Sequence, residues 1–147
     1  MKILAVASVG GHWIQLLRLI PAFEDNEIMF ASTKESFADT VEGFPFYCIP
    51  DINRNEKLKF PNTVYKIFLL IKSIKPNVII STGALPGLIT LAAGKLFGAK
   101  TIWVDSIANV EELSLSGKIA SRFADRTYTQ WPHLADEKCM FHGNVLS

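Results

Sequence analysis

The sequence lacks the features of a membrane-spanning, secreted or metal-held protein. Its 147 residues contain no run of about 18 apolar residues, the length at which a helix spans a bilayer. The opening MKILAVASVGGHW has an apolar run too short for a signal peptide. Cys48 and Cys139 form no Cys-x-x-Cys pattern, so we expect a reduced, cytoplasmic protein. Cys139, His133 and His142 lack the spacing of a zinc site, and we expect no metal or other cofactor.

Two nucleotide-binding patterns are also missing. No Gly-x-Gly-x-x-Gly is present, and no acidic residue directly ends the second predicted strand, so a nicotinamide dinucleotide site is not indicated. Gly117 and Lys118 lack the upstream glycine and the following serine or threonine of a P-loop. A small nucleotide-dependent oxidoreductase therefore remains only as a weak alternative.

Negative charge is absent from the middle of the chain. Residues 57–104 contain seven lysines and no aspartate or glutamate, although the net charge of the whole chain is only +1. A stretch with positive charge alone favours an anionic partner for that part of the surface. A solvated lysine face without any partner is the alternative.

Short apolar runs alternate with helical patterns along the chain. Strands are predicted at Lys2–Ala7, Glu27–Ala31, Phe46–Ile49, Asn77–Ile80, Lys100–Asp105, Arg126–Thr129 and Met140–Phe141. Helices are predicted at Trp13–Phe23, Glu35–Val41, Pro61 to about Ile74, Gly87–Phe97 and Leu115–Phe123. Nearly all-apolar strands separated by helices indicate a mainly parallel sheet covered on both faces. We therefore expect one doubly wound, Rossmann-like α/β domain over residues 1–147.

Ligands of such sheets bind beyond the carboxyl ends of the strands, so the loops after strands are the candidate site. Glycine and polar residues concentrate in three of them, Ser8–His12, Ser81–Pro86 and Asp105–Ser116. Gly10 and Gly11 would let backbone amides approach an anion at a helix N-terminus. A tight turn that needs glycine for its backbone is the alternative.

Three further features of these loops have a chemical and a structural interpretation. His12 suits a base or a phosphate ligand, or it stacks on Trp13 or caps the helix. Ser81, Thr82 and Gly83 suit a second anion or sugar cradle, or ordinary helix capping. Asp105 ends a strand in the same crevice and accepts sugar hydroxyls or caps a turn.

The helix predicted from Pro61 is too apolar for a helix with one wet face, and it carries Lys66, Lys72 and Lys75. Lysines beside an apolar surface favour anionic lipid. A helix buried deeply against the sheet is the alternative, and it needs no partner.

The order of several motifs resembles a known family. These are Ser8-Val9-Gly10-Gly11-His12, Ser81-Thr82-Gly83, Leu113-Ser114-Leu115-Ser116-Gly117-Lys118, Ala124-Asp125 and Gln130-Trp131-Pro132. Their sequence is similar to that of the asparagine-linked-glycosylation fourteen family, with its bacterial capsule and exopolysaccharide counterparts. The resemblance covers essentially the whole chain.

The resemblance implies the N-terminal half of a GT-B glycosyltransferase whose other half is a separate polypeptide. That partner would bind the UDP-sugar, with UDP-N-acetylglucosamine as the expected donor. This chain would bind the lipid-linked sugar acceptor, attach peripherally to the anionic inner face of the membrane, and recruit the partner. No nucleic acid is expected. A scaffold that only recruits a catalytic partner is the alternative.

The resemblance also implies roles for individual residues. Gly10, Gly11 and His12 would face the diphosphate or the reacting hydroxyl of the acceptor, and Ser81, Thr82 and Gly83 would line the cleft. Gln130 and Trp131 would lie near the partner or the cleft wall. Asp105 and Asn109 stand where relatives usually have glutamate and arginine, so we expect a shortened polar contact and a lost phosphate-type contact.

Overall fold

A computed structural model describes residues 1–52 and 55–146 and contains seven parallel strands in one sheet. The strand order is β3-β2-β1-β4-β5-β6-β7, and each neighbouring pair is parallel, as the sequence predicts. The strands are β1 Lys2–Ala7, β2 Glu27–Ser32, β3 Phe46–Cys48, β4 Val78–Ser81, β5 Lys100–Val104, β6 Arg126–Thr129 and β7 Met140–Phe141.

Four α-helices connect the described strands: α1 Gly11–Arg18, α2 Phe60–Ile74, α3 Ala84–Leu96 and α4 Leu115–Ala120. The predicted helix Trp13–Phe23 is divided, because Pro21 cannot donate a backbone hydrogen bond and Ile20–Phe23 forms a 3-10 turn. Glu35–Val41 is also 3-10 rather than α-helical. Within it the Thr40 hydroxyl donates to the Phe37 carbonyl, three residues back.

Two apolar layers pack against the sheet. Helices α2, α3 and α4 cover one face, where Ile67, Leu91 and Trp103 are fully buried. On the other face α1 and the 3-10 turns cover the half formed by β1, β2 and β3, around Trp13 and Phe30. The rest of that second face has no helix over it among the described residues.

The chain reverses its winding between β1 and β4, which are neighbours in the sheet. After β1 it enters α1 on one face, and after β4 it enters α3 on the opposite face. This arrangement is the topological switch point of a doubly wound sheet, where a crevice opens between the two loops. The fold therefore brings the loops at Ser8–Gly10 and Thr82–Gly83 to the same edge.

Asp125 belongs to the Ala124-Asp125 motif of the family resemblance. It holds the amino ends of β5 and β6 together. Its carboxylate accepts hydrogen bonds from the Thr101 amide at 2.8 Å and from the Lys95 ammonium at 2.7 Å. The Thr101 hydroxyl donates a third bond at 3.1 Å. These partners lower the pKa of Asp125 from 3.8 to about 2, with the Lys95 hydrogen bond as the largest cause.

We expect Asp125→Asn to lower the free energy of unfolding by about 1–2 kcal/mol at neutral pH. Because the folded pKa lies below the unfolded one, this stabilisation is complete above about pH 4 and is lost as the pH falls towards about 2. Urea unfolding at pH 7 and pH 3 should show a smaller loss of stability on acidification for the variant than for the wild type. An equal loss would contradict this role. The control is Glu112→Gln, which removes an exposed ion pair with Lys118 and should change stability little.

Candidate functional site

Two reciprocal hydrogen bonds join the loops after β1 and β4. The His12 ring donates from Nδ1 to the Thr82 carbonyl at 3.0 Å, and the Thr82 hydroxyl donates to the His12 carbonyl at 2.6 Å. Since a carbonyl only accepts, the neutral imidazole carries its proton on Nδ1 and its lone pair on Nε2. Nε2 has no hydrogen-bond partner within residues 1–52 and 55–146. The half-buried ring is therefore held in the tautomer that a general base requires.

Gly83 makes this arrangement possible by close approach. A Cβ atom built on Gly83 would lie 2.1 Å from Nδ1 of His12, far inside van der Waals contact. Any side chain at this position would displace the imidazole. The role of Gly83 is therefore steric: its lack of a side chain leaves room for the His12 ring.

We expect Gly83→Ala to move the His12 ring and break its bond to Thr82, at a cost of about 1–3 kcal/mol in stability. The measurement is the ¹⁵N chemical shifts of the His12 ring nitrogens, together with thermal unfolding. Gly43→Ala is the matched control, because Gly43 also has a positive φ but has no neighbouring atom in the way. Unchanged His12 resonances in Gly83→Ala would contradict the steric role.

The N-terminus of α1 has the geometry of an anion site. Gly10 is the N-cap residue with a φ of +82°, and no side chain caps the helix there. Gly10 and Gly11 are both exposed, and the first amides of α1 point out of the helix end. A positive helix end beside an unpaired imidazole nitrogen suits an anionic group with an adjacent hydroxyl.

The hydroxyls of Ser81 and Thr82, for which the sequence suggests an anion or sugar cradle or ordinary helix capping, are bonded within the protein. Both side chains are fully buried, because β4 continues through Ser81 and α3 packs closely over it. Ser81 accepts a hydrogen bond from the Gly83 amide, and Thr82 donates to His12. Ordinary helix capping is also absent here, since the N-cap of α3 is Gly83 without a side-chain bond. These hydroxyls order the loop and do not line a cleft.

Asp105 is buried and bonded within the protein. Only 2% of it is exposed, and its carboxylate accepts four hydrogen bonds from within the protein. The donors are the Trp103 indole, the Asn109 amide, and both the backbone amide and the hydroxyl of Ser114. Ser114 in turn caps α4 by accepting from the Gly117 amide. Four is about as many hydrogen bonds as a carboxylate accepts.

Gln130 and Gln15 form a buried amide network that the sequence does not reveal. Gln130 donates to Gln15 Oε1 at 2.7 Å and to the Asp105 carbonyl at 3.0 Å. Gln15 also donates to the Ser106 hydroxyl and accepts from the Ile107 amide. The network ties α1, which carries His12, to the loops after β5 and β6.

The C-terminal segment and Trp131 attach to the same region. The Val145 amide donates to Gln130 at 2.9 Å, and the Arg18 guanidinium donates to the Val145 carbonyl at 2.9 Å. The Trp131 indole donates to the Ile107 carbonyl at 2.8 Å and so holds the loop after β5. Gln130 and Trp131 therefore tie the C-terminal segment and the loop after β5 to the end of β6.

Helix α2 has one buried face and one face exposed to solvent. Ile67, Ile71 and Ile74 pack on the sheet, whereas Tyr65 and Leu69 are 62% and 47% exposed. At 100° per residue, Lys66 and Lys72 lie on either side of Leu69, and both are exposed. Lys75 is exposed at the C-cap. The outer face of α2 thus combines apolar and basic side chains.

None of the helices among residues 1–52 and 55–146 has both the length and the apolar character that crossing a membrane requires.

Solved structures define the fold class. The chain superposes on MurG of Acinetobacter baumannii with a TM-score of 0.77 and 13% identity, over 98% of this chain and 46% of that one. It superposes on the UDP-N-acetylglucosamine 2-epimerase of Rickettsia bellii with a TM-score of 0.73 and 14% identity, over 99% of this chain and 45% of that one. The chain therefore has the Rossmann-like fold of one GT-B half and spans about half the length of these proteins.

The family follows from sequence. Residues 57–145 match the family described as "Oligosaccharide biosynthesis protein Alg14 like", and the chain belongs to this family. The human protein named UDP-N-acetylglucosamine transferase subunit ALG14 is 28% identical over 180 aligned residues, covering 99% of this chain and 83% of the human protein. The Schizosaccharomyces pombe protein of the same name is 42% identical over 67 residues. The resemblance seen in the motifs is confirmed.

Proposed function

We propose that this chain is the acceptor-binding, membrane-associating subunit of a two-chain UDP-sugar glycosyltransferase. Its donor would be UDP-N-acetylglucosamine, and its acceptor a lipid-diphosphate-linked sugar of polysaccharide or oligosaccharide biosynthesis. The observation that best supports the proposal is how much of each similar protein the chain covers. It aligns with 83% of the human transferase subunit ALG14 but superposes on only 46% of MurG. The human relative is named a transferase subunit, which supports a donor site that lies on another polypeptide.

The site suits the acceptor side of the reaction. The exposed amides at Gly10 and Gly11 would bind the acceptor diphosphate with the help of the α1 dipole. His12 Nε2 would accept the proton of the acceptor hydroxyl as its oxygen bonds to the anomeric carbon. The bond from that carbon to UDP breaks, and UDP leaves with the electron pair on the partner's side.

The outer face of α2 would hold the protein at the cytoplasmic face of the membrane. Tyr65 and Leu69 would enter the interface, and Lys66, Lys72 and Lys75 would contact anionic headgroups. Attachment of this kind is peripheral, and it would place the acceptor-binding loops near a lipid-linked substrate.

A scaffold that only recruits a catalytic partner is the second candidate. It is favoured because few side chains of the loops are left for chemistry. Hydrogen bonds within the protein occupy Ser81, Thr82, Asp105 and Gln130, so His12 is the main reactive side chain that remains. Full activity of the partner alone would establish the scaffold.

Affinity purification of the tagged chain from native membranes tests the proposal. We expect a stoichiometric second polypeptide with its own nucleotide-binding pattern, identified by mass spectrometry. Recovery of the chain alone from the soluble fraction would contradict both the partner and the membrane attachment.

A further inference from the structure

Gln15 is a buried amide of α1 that bonds to two other parts of the fold. Only 7% of it is exposed, and its side chain makes three hydrogen bonds. Its Oε1 atom accepts from the Gln130 side-chain amide at 2.7 Å and from the Ile107 backbone amide at 3.0 Å. Its Nε2 atom donates to the Ser106 hydroxyl at 3.1 Å. The loop after β5 and the end of β6 are therefore both attached to α1 through this one side chain.

Gln15 lies beside the end of α1 that forms the candidate site. It follows Gly11 by one helical turn, and a Cβ atom built on Gly11 would be 3.9 Å from Gln15 Nε2. Side chains of a helix lean towards its N-terminus, so the Gln15 amide lies along the first turn. His12 faces the loop after β4, where the Thr82 carbonyl accepts a hydrogen bond from its ring. The first turn of α1 is thus held between two loops at the same edge of the sheet.

The first turn of α1 depends on contacts with other elements, because it has no side-chain cap. Gly10 is the N-cap residue and contributes no side-chain hydrogen bond. On the β2 side, the Trp13 indole donates to the Thr40 hydroxyl at 3.0 Å. Gln15 supplies the attachment on the β5 side. Loss of the Gln15 bonds would therefore let the helix end move relative to the loop after β5.

Packing alone does not account for an amide at position 15. An apolar side chain of similar size would bury as much surface without the cost of removing polar atoms from water. A fully bonded amide adds direction, because its hydrogen bonds fix the distances between the elements that they join. Such placement matters in a transfer reaction, since a displacement of about 1 Å at the reacting groups can lower the rate about 100-fold.

We propose that Gln15 is a positioning residue of the transfer reaction. Its amide sets the distance between the first turn of α1 and the loop after β5, and so fixes the positions of the Gly10 and Gly11 amides and of His12 Nε2. Gln15 does not itself touch the acceptor, because its side chain is buried and bonded within the protein. The inference rests on the proposed function, which places the acceptor at this helix end.

Gln15→Leu tests this role in the reconstituted two-chain complex. The assay follows labelled N-acetylglucosamine from its UDP donor to a lipid extract of native membranes. We expect the turnover number to fall roughly 10–100-fold, because the helix end and the base are displaced. The KM for the UDP donor should change little, because the partner binds the donor. A turnover number equal to that of the wild type would overturn the inference.

Gln15→Glu is the conservative variant. Its carboxylate can accept from Gln130 and Ile107 as the amide oxygen does, and the Ser106 hydroxyl can turn to donate to it. Because all three bonds can form, we expect turnover within about threefold of the wild type. A loss as large as that in Gln15→Leu would show that these hydrogen bonds do not set the rate, and would overturn the inference.

Asp125→Asn is the matched control for a general loss of stability. Asp125 bonds to Thr101 and Lys95 at the amino ends of the strands, the edge of the sheet opposite the site. This variant should unfold at a lower temperature than the wild type but keep its turnover number. A loss of turnover as large as that in Gln15→Leu would make the effect a consequence of stability alone, and would overturn the inference.

The isolated chain gives a readout that needs no partner. The ¹⁵N chemical shifts of the His12 ring report its tautomer, and we expect Gln15→Leu to populate the second tautomer as the bond to Thr82 loosens. Unchanged shifts would overturn the inference. If Gln15→Leu does not fold, Ser106→Ala takes its place, because it removes one partner of Gln15 and leaves α1 unaltered. Turnover should then fall about threefold or more, and normal turnover would overturn the inference.

The failure of this inference is distinguishable from the failure of the proposed function. If the wild-type pair transfers no sugar, the proposed function fails, and the inference with it. If the wild-type pair is active and Gln15→Leu is equally active, the inference alone fails, and the two-chain function stands.

Discussion

His12→Ala should lower the turnover of the reconstituted two-chain complex by roughly 10²–10⁴-fold, the usual contribution of a positioned general base. The physical reason is the tautomer: Nδ1 is committed to the Thr82 carbonyl, so Nε2 is available to accept a proton. Complex formation should not change, because the ring makes its hydrogen bond within this chain, to the Thr82 carbonyl in the loop after β4. Steady-state transfer rates and partner affinity measure the two effects separately.

His12→Asn separates the chemical role from the positioning role. The asparagine amide can still donate to the Thr82 carbonyl, but it cannot act as a base. If His12 is the base, both variants should lose turnover to a similar extent. Near-normal turnover in His12→Asn with a large loss in His12→Ala would show that His12 only orders the loop. Normal turnover in both variants would remove His12 from the mechanism.

Replacing Lys66, Lys72 and Lys75 with glutamate should release the chain from anionic vesicles. Each lysine near a negative membrane surface contributes about 1 kcal/mol, so loss of three weakens binding by roughly 100-fold, and the new negative charges repel the surface. Sedimentation with vesicles of phosphatidylcholine and phosphatidylglycerol measures the bound fraction. The wild type should bind less at high salt, because exposed charges are screened.

A matched variant distinguishes membrane binding through the surface of α2 from a general effect of net charge. Lys2, Lys34 and Lys138 are three exposed lysines outside α2, and their replacement with glutamate gives the same change in charge. This control should keep most of its vesicle binding. Equal release of both triple variants would show a non-specific charge effect, and unchanged binding of the α2 variant would move the membrane contact to another surface.

The strands were largely predictable because each is a short apolar run bounded by polar residues. β1, β6 and β7 begin and end where the sequence predicts, and the parallel order follows from the intervening helices. Helix ends were less predictable. Pro21 divides the first predicted helix, and α3 begins at Ala84, three residues before its predicted start. Such ends depend on packing as well as on local pattern.

The location of the switch point was predictable, but the contacts of most of its side chains were not. Glycine and polar residues after parallel strands correctly indicated the switch point at His12. The sequence does not show which way a loop side chain points, so it left open whether Ser81 and Asp105 face a ligand or serve the local structure. In the structure both are buried and have partners within the protein. Gln15 carried no signal at all, because it meets Gln130 from 115 positions away.

The open half of the sheet was missed for a related reason. Apolar strands indicated a sheet covered on both faces, and the apolar residues Ile102 and Val104 fit that pattern. Sequence periodicity reports that a residue belongs against an apolar layer. It does not report whether the same chain supplies that layer.

The most direct test of the split-transferase account is the transfer of labelled N-acetylglucosamine from its UDP donor to a membrane lipid acceptor. It compares this chain alone, the co-purified partner alone, and the two together. The account predicts transfer only when both chains are present, and its loss with His12→Ala. Full transfer by the partner alone would contradict it and leave this chain as a scaffold.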